Sequence, residues 1–219
     1  MKIWTALMAA MAVAAAPLTA QKPAGAKPPD HMEHRFDNPE GLAKSFDDPK
    51  RDAWQMPDRV IGALGLKGSM SVADIGAGTG YFTVRLAKAA PGATVYAVDI
   101  EPKMVEHLKT RAAAEHLAHV VPVLASASSP NLQKAVDVVL IVDTYHHLPN
   151  RTTYFSGLRK SLTATGKIAI VDFRKEAPEG PPAEFRFTTK QIEDEMRQAG
   201  YKLDAAYDFL PRQHFLVFR

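Results

Sequence analysis

The sequence predicts an α/β fold: a doubly wound, mostly parallel seven-stranded sheet with a C-terminal antiparallel hairpin and helices on both faces. Three observations carry this. From Ser71 onward short apolar strands alternate with helical patterns, the order that builds parallel sheets. The first strand ends in a glycine run, "DIGAGTG", that opens directly into a helix. The last two strands, "YKLDAAYDF" and "QHFLVFR", are separated only by Leu210-Pro211-Arg212, a connection that suits a hairpin and not a crossover.

Of the 219 residues, 46% are hydrophobic and 23% charged, which is enough apolar material for the core of one domain with extensions. The net charge of +3 is not gathered in any long Lys/Arg run, so a nucleic-acid surface is not expected. The chain has no cysteine, which excludes disulfides, thiolate zinc sites and cysteine nucleophiles.

Taken in order, Lys2 precedes an apolar stretch from Ile3 to Ala16, and small residues lead on to Ala20. The stretch is shorter than the roughly 20 residues of a spanning helix. Residues 1–20 therefore read as a secretory signal that sends the chain to the periplasm, with no stable membrane insertion once it is cleaved. A retained membrane anchor is the rival reading. Residues 21–33, rich in Pro, Ala and Lys, lack the apolar surface to offset chain entropy and form a linker. Residues 34–56 are an N-terminal segment with one short helix around Leu42, Ala43 and Phe46, between Pro39 and Pro49.

The domain proper spans residues 57–219. Pro57 suits the first turn of a helix that buries Val60, Ile61 and Leu64 and ends at Gly65. Then come the strand "SVADI", the helix "YFTVRLAKAA", the strand "ATVYAVDI" and the helix "PKMVEHLKTRAAAEH". "HVVPVLA" is a strand whose Pro122 places it at an edge or an irregularity. "AVDVVLIVD" is continuously apolar, as a strand buried on both faces must be. The helix "RTTYFSGLRKSL", the strand "GKIAIVDF" and the helix "TTKQIEDEMRQAG", capped by Thr188 or Thr189, lead to the hairpin.

Gly76, Gly78 and Gly80 fall at the end of the first strand. Only glycine lets the backbone turn sharply there and approach a ligand closely, at the strand ends where doubly wound sheets bind ligands. Asp99 follows nineteen residues after Gly80, at the end of the second strand, where a carboxylate can grip a ribose diol. The dinucleotide pattern G-x-G-x-x-G fails at Tyr81, and no Gly-Lys-Ser/Thr completes a P-loop. A nicotinamide oxidoreductase is therefore disfavoured.

With Asp74-Ile75-Gly76-Ala77-Gly78-Thr79-Gly80, Asp99, Asp137 opening the fourth strand and "LRKSLTATGKIAIVDF" before the fifth, residues 57–219 resemble the class I S-adenosylmethionine-dependent methyltransferases. The resemblance implies S-adenosyl-L-methionine as methyl donor. The three glycines would lie under its methionine part, Asp74 would orient the loop or water around the amino group, and Asp99 would hold the ribose. Ile100 and Met104 either border the adenine or belong to the core. Tyr81, Ser126 and Asp143 complete the implied cofactor set. Relatives carry an acid after the third strand for the adenine amine. Here the stretch reads Ala125-Ser126-Ala127, and a neutral hydrogen bond accepted by Ser126 is worth about 1 kcal/mol against about 1.5–3 for a charged one.

Candidate chemistry lies in "VDTYHHLPNR", beyond the fourth strand. His146 or His147 can accept a proton near neutral pH. Either can instead close the pocket or pack against Tyr154 and Phe155. Adjacent histidines point in different directions, so at most one is expected to face a substrate. No third ligand is placed to make them a metal site. The resemblance implies that residues 34–56 form an N-terminal lid segment over the cofactor, lined by Arg51, Trp54 and Gln55; the alternative for Trp54 is a plug in the helix layer. Arg212 and His214 read as solvated turn residues. The absence of an Asn-Pro-Pro-Tyr-like tetrapeptide argues against methylation of nucleic-acid bases. The reading is a methyltransferase acting on a small molecule. The alternative is an exported, non-catalytic domain that binds a nucleoside-like ligand on the same scaffold.

Overall fold

The computed structural model describes His31 and residues 36–219. The expected signal sequence and nearly all of the expected linker lie outside the described residues. In chain order the elements are α1 (Pro39–Phe46), α2 (Asp52–Gln55), α3 (Pro57–Leu64), β1 (Ser71–Ile75), α4 (Tyr81–Ala89), β2 (Thr94–Asp99), α5 (Pro102–Ala114), β3 (Val120–Leu124), β4 (Val136–Val142), α6 (Arg151–Leu158), β5 (Leu162–Phe173), α7 (Thr189–Gln198), β6 (Leu203–Tyr207) and β7 (Gln213–Phe218). The sheet order is β3-β2-β1-β4-β5-β7-β6. The first five strands pair in parallel, and β7 runs antiparallel between β5 and β6.

Side-chain alternation along the central strands sorts the core into two layers. Val138, Leu140 and Val142 of β4 join Val72, Val95, Ala169, Val171, Phe215 and Val217 on the face covered by α3, α4 and α5. Val139 and Ile141 join Ala73, Val98, Ile168, Ile170, Leu216 and Phe218 on the face covered by α6 and α7. The apolar run of β4 is thus required by burial on both sides. Pro122 is tolerated because β3 is an edge strand pairing only with β2. β5 starts earlier than its apolar pattern indicates, at Leu162, across a register shift between Val136 and Val138.

Local signals fix the helix ends. Pro57 and Pro102 occupy first-turn positions, and Gly65 ends α3 with φ 62. A full capping box between Thr188 and Gln191 starts α7. Among the described residues no helix is long and apolar enough to cross a membrane.

The two-layer arrangement gives a graded expectation. Leu140→Ala, at a residue with no exposed surface, is expected to destabilise the fold by about 2–5 kcal/mol. Leu203→Ala, on edge strand β6 at 42% exposure, is expected to cost less than about 1 kcal/mol. Urea unfolding with unchanged m-values checks both.

Candidate active site

The turn after β1 is tied to β2 through its backbone. The N–H groups of Gly76 and Ala77 both donate to the Val98 carbonyl, at 2.8 and 3.0 Å. Gly76 has φ 78, and a Cβ there would stand 2.1 Å from Thr144 Oγ1, so no other residue fits. The Gly78 N–H donates to Asp99 Oδ2 at 2.8 Å, and the Glu101 N–H to Oδ1 at 3.0 Å. Burial raises the Asp99 pKa against these opposing N–H bonds. Beneath the turn, Asp74 accepts a 2.6 Å bond from Thr83 Oγ1. Desolvation, partly offset by that bond, pushes its pKa up to about 6. Thr79 Oγ1 is buried and has no hydrogen-bond partner among the described residues.

These groups open onto a cavity of about 1120 Å³. Asp74, Gly76, Gly78, Tyr81, Asp99, Ile100, Ser126, Asp143, His146 and His147 all line it. Two expected residues do not. Gly80 closes the turn at φ 94, where a Cβ would stand 2.9 Å from Leu108 Cδ2, so it serves helix packing. Met104 is fully buried away from the wall, because α5 turns that position into the core. Ile100 is 53% exposed, at the rim and not in the core.

Asp143, directly after β4, has φ 50, a left-handed conformation for a non-glycine residue. Its carboxylate accepts from Arg51 Nη2 at 3.2 Å, from Gln55 Nε2 at 2.9 Å and from Gln213 Nε2. Desolvation raises its pKa against the Arg51 charge. The lid segment is held at two further carboxylates. Asp47 pairs with Arg111 at 3.0 Å, and Arg111 also donates to the Thr79 carbonyl at 2.8 Å. Asp52 accepts from the Tyr81 hydroxyl and, at 3.0 Å, from Arg85. The Arg51 guanidinium lies 4.2 Å from the Tyr81 ring centroid.

His146 and His147 sit on one 3₁₀ turn with ring centroids 4.2 Å apart. Both line the cavity. The tight turn draws the rings together instead of spreading them. His146 is 3% exposed, and its Nδ1 lies 2.9 Å from Asp172 Oδ1. With Nδ1–H donating to that carboxylate, Nε2 is the acceptor nitrogen. Burial alone would lower the His146 pKa, but Asp172 outweighs it and the net shift is upward. The turn is anchored from behind. Glu195 of α7 accepts from the Tyr145 hydroxyl at 2.5 Å and from Arg151 Nε at 2.6 Å. His147 meets Phe36 edge-on at 5.3 Å.

Sequence reasoning missed Asp172, next to last in β5, and Gln213, the first residue of β7. Their signal was a polar residue at the boundary of an apolar strand. It also missed Glu179, Gly180 and Pro181, which line the cavity. Arg212 and His214 are not solvated turn residues. Antiparallel insertion of β7 beside β5 carries Arg212 to the cavity wall, 5.2 Å from the Trp54 ring. His214 is half-buried, with Nδ1 3.0 Å from Thr189 Oγ1 and Nε2 3.0 Å from the Phe187 carbonyl. Trp54 lines the cavity and packs on Phe173 at 5.6 Å, while Gln55 is fully buried.

Two expectations follow from the charges. The folded pKa of Asp74 lies above its ordinary 3.8, so its ionised form destabilises the fold at neutral pH, and the penalty fades as pH falls from about 6 to 3.8. Asp74→Asn is therefore expected to stabilise the unliganded protein by about 1–3 kcal/mol at neutral pH, or about 2–4 °C in Tm per kcal/mol. The gain should vanish in acid, as thermal unfolding across pH would record. In NMR titrations His146 is expected to titrate above the ordinary imidazole value. Asp172→Asn should lower it, since burial is then opposed chiefly by the Asp143 carboxylate.

Residues 73–168 match a family model described as a methyltransferase domain. An uncharacterized methyltransferase of Mycobacterium bovis is 30% identical over 116 residues, covering 53% of this chain and 57% of its own length. The 27-O-demethylrifamycin SV methyltransferase of Amycolatopsis mediterranei is 31% identical over 121 residues, covering 54% of this chain and 44% of its own. The chain thus spans about half the length of the curated relatives it matches. A solved S-adenosylmethionine-dependent methyltransferase from Aquifex aeolicus superposes with a TM-score of 0.75 at 24% identity, over 83% of this chain and 97% of that one. In its domain match over residues 73–168, its seven-stranded topology and its Asp74–Gly80 turn, the chain is similar to the class I S-adenosylmethionine-dependent methyltransferases and shares their fold.

Proposed function

We propose that the protein catalyses S-adenosylmethionine-dependent methyl transfer to a small-molecule acceptor. The observation that carries this is one continuous cavity holding two kinds of chemistry. Asp99 and the glycine turn stand at one end, and the His146–Asp172 pair stands farther along.

The residues present fit the methyl donor. The wall at Gly76 and Gly78 is bare backbone. Thr79 Oγ1 is a buried polar atom awaiting a partner. Each Asp99 oxygen accepts one backbone N–H and keeps a lone pair for a ribose hydroxyl. Asp74, Asp99 and Asp143 give the cavity the negative charge that a sulfonium and an ammonium require. Ser126 stands on the cavity wall and offers a neutral partner to the adenine. When bound, the donor supplies a methyl group activated by positive sulfur. The chain aligns the acceptor, excludes water beneath the lid and receives a proton. Its acceptor for that proton is His146 Nε2, and Asp172 stabilises the resulting imidazolium. A small acceptor is supported by the walled cavity and by relatives such as the 27-O-demethylrifamycin SV methyltransferase, whose name gives a small-molecule acceptor.

Calorimetry with S-adenosylmethionine and S-adenosylhomocysteine tests the reading. Binding is expected in the micromolar range (Kd about 1–100 μM, or roughly −8 to −5 kcal/mol). Asp99→Ala should weaken it at least about tenfold, the loss of roughly one charged hydrogen bond. A cationic ligand favours the Asp74 anion, so affinity should fall as pH drops below about 6, by up to about tenfold per pH unit. Binding of neither ligand by folded protein would overturn the proposal and leave the non-catalytic scaffold.

A further inference from the structure

The cavity follows the strand ends in the order β2, β1, β4, β5, β7. Four interstrand steps of about 4.8 Å make it about 19 Å long. Asp99 marks the β2 end, His146 lies just past β4, and Phe173 with Arg212 marks the β5–β7 end. Under the function proposed above, on which this inference rests, the methyl donor takes the β2–β1 half. The acceptor is then left the β5–β7 half.

That half is aromatic and cationic. Trp54 and Phe173 pack with ring centroids 5.6 Å apart and an interplanar angle of 39°. The Arg212 guanidinium lies 5.2 Å from the Trp54 centroid, and its Nη1 donates to Glu179 Oε2 at 2.6 Å. The Glu179 side chain is 72% exposed, so this pair is held weakly and can yield to an incoming anion. The other guanidinium N–H groups of Arg212 have no partner among the described residues. Gly180, at φ 119, brings its backbone onto the Phe173 ring, where a Cβ would stand 2.6 Å away. Pro181 extends the same wall. Asp172, which holds His146, directly precedes Phe173, and His146 and Phe173 line the same cavity.

We infer that the acceptor is a hydroxylated aromatic ring carrying an anionic substituent. The ring lies against Trp54 and Phe173, the anionic group reaches Arg212, and the hydroxyl faces His146. In the transfer, the hydroxyl oxygen forms a bond to the methyl carbon. The carbon–sulfur bond breaks and its electron pair stays on sulfur, which becomes a neutral thioether. The hydroxyl proton passes to His146 Nε2 and then to solvent. The products are an aryl methyl ether, S-adenosylhomocysteine and one proton.

The test uses full-length protein saturated with S-adenosylhomocysteine, titrated with 3,4-dihydroxybenzoate and with catechol. The carboxylated probe is expected to bind at least about tenfold more tightly, the weight of one charged hydrogen-bonded contact. Arg212→Gln should bring the two probes to within about threefold of each other and leave S-adenosylhomocysteine affinity unchanged. Trp54→Ala should weaken both probes. Equal affinity of the two probes for the parent protein, or a preference that survives Arg212→Gln, would overturn the inference. Failure of both probes on a protein that still binds S-adenosylhomocysteine overturns the acceptor class alone. Failure of S-adenosylhomocysteine itself brings down the function on which the inference rests.

Discussion

The carboxylate of Asp143 is where separate parts of the chain are made to meet. It stands at the end of the most buried strand, held in a left-handed backbone conformation, and is largely withdrawn from bulk water. A carboxylate so placed needs donors, and it receives them from sequence positions far apart. Arg51 and Gln55 come from the lid and Gln213 from the final strand, while Gln55 and Gln213 also bond each other at 3.1 Å. The lid is therefore attached to the sheet at its centre and not merely along its rim. Together with the Asp47–Arg111 and Asp52–Tyr81 contacts, this junction fixes Trp54 over Phe173 and Arg51 against Tyr81.

Charge in the cavity follows one plan. Its carboxylates are partly or wholly desolvated, and desolvation raises the pKa of each one that shifts. The fold carries that electrostatic cost in the absence of a cationic ligand, as sites shaped for function commonly do. The arginines are distributed differently. Arg51 and Arg111 tie lid and turn to the core, whereas Arg212 leans over an aromatic ring beside an exposed partner. Only the last is arranged so that a small molecule can draw it away.

The parts of this architecture that were legible in sequence are those governed by local periodicity or backbone geometry. β4 was readable because burial on both faces demands an unbroken apolar run, and the Asp74–Gly80 turn because positive φ and a wall formed by Thr144 demand glycine. Asp99 followed from its place at a strand end. Asp172 and Gln213 were not readable. Their partners lie 26 and 158 residues away in sequence, and a single carboxylate or amide at a strand boundary looks like a solvated end. Arg212 was misread for a related reason, since its surroundings exist only once β7 has slotted in beside β5. Met104, left open in sequence between the adenine border and the core, falls in the core. Proximity to Asp99 suggested the cavity, but the helical rotation of α5 decides where the side chain goes.

The border strand β3 has a consequence for how this molecule lives among its own copies. Its backbone groups at His119 and Ala125 bond to β2, so alternation turns those of Val120, Pro122 and Leu124 outward. Val120 directs its N–H to the Leu117 carbonyl, Pro122 has none to offer, and the Leu124 carbonyl is capped by Asn131 at 3.0 Å. Val121 and Leu124 are exposed apolar residues here, the combination that invites a stranger's strand to dock. The ladder they would template is already broken at every outward rung, so the margin resists aggregation through sheet extension.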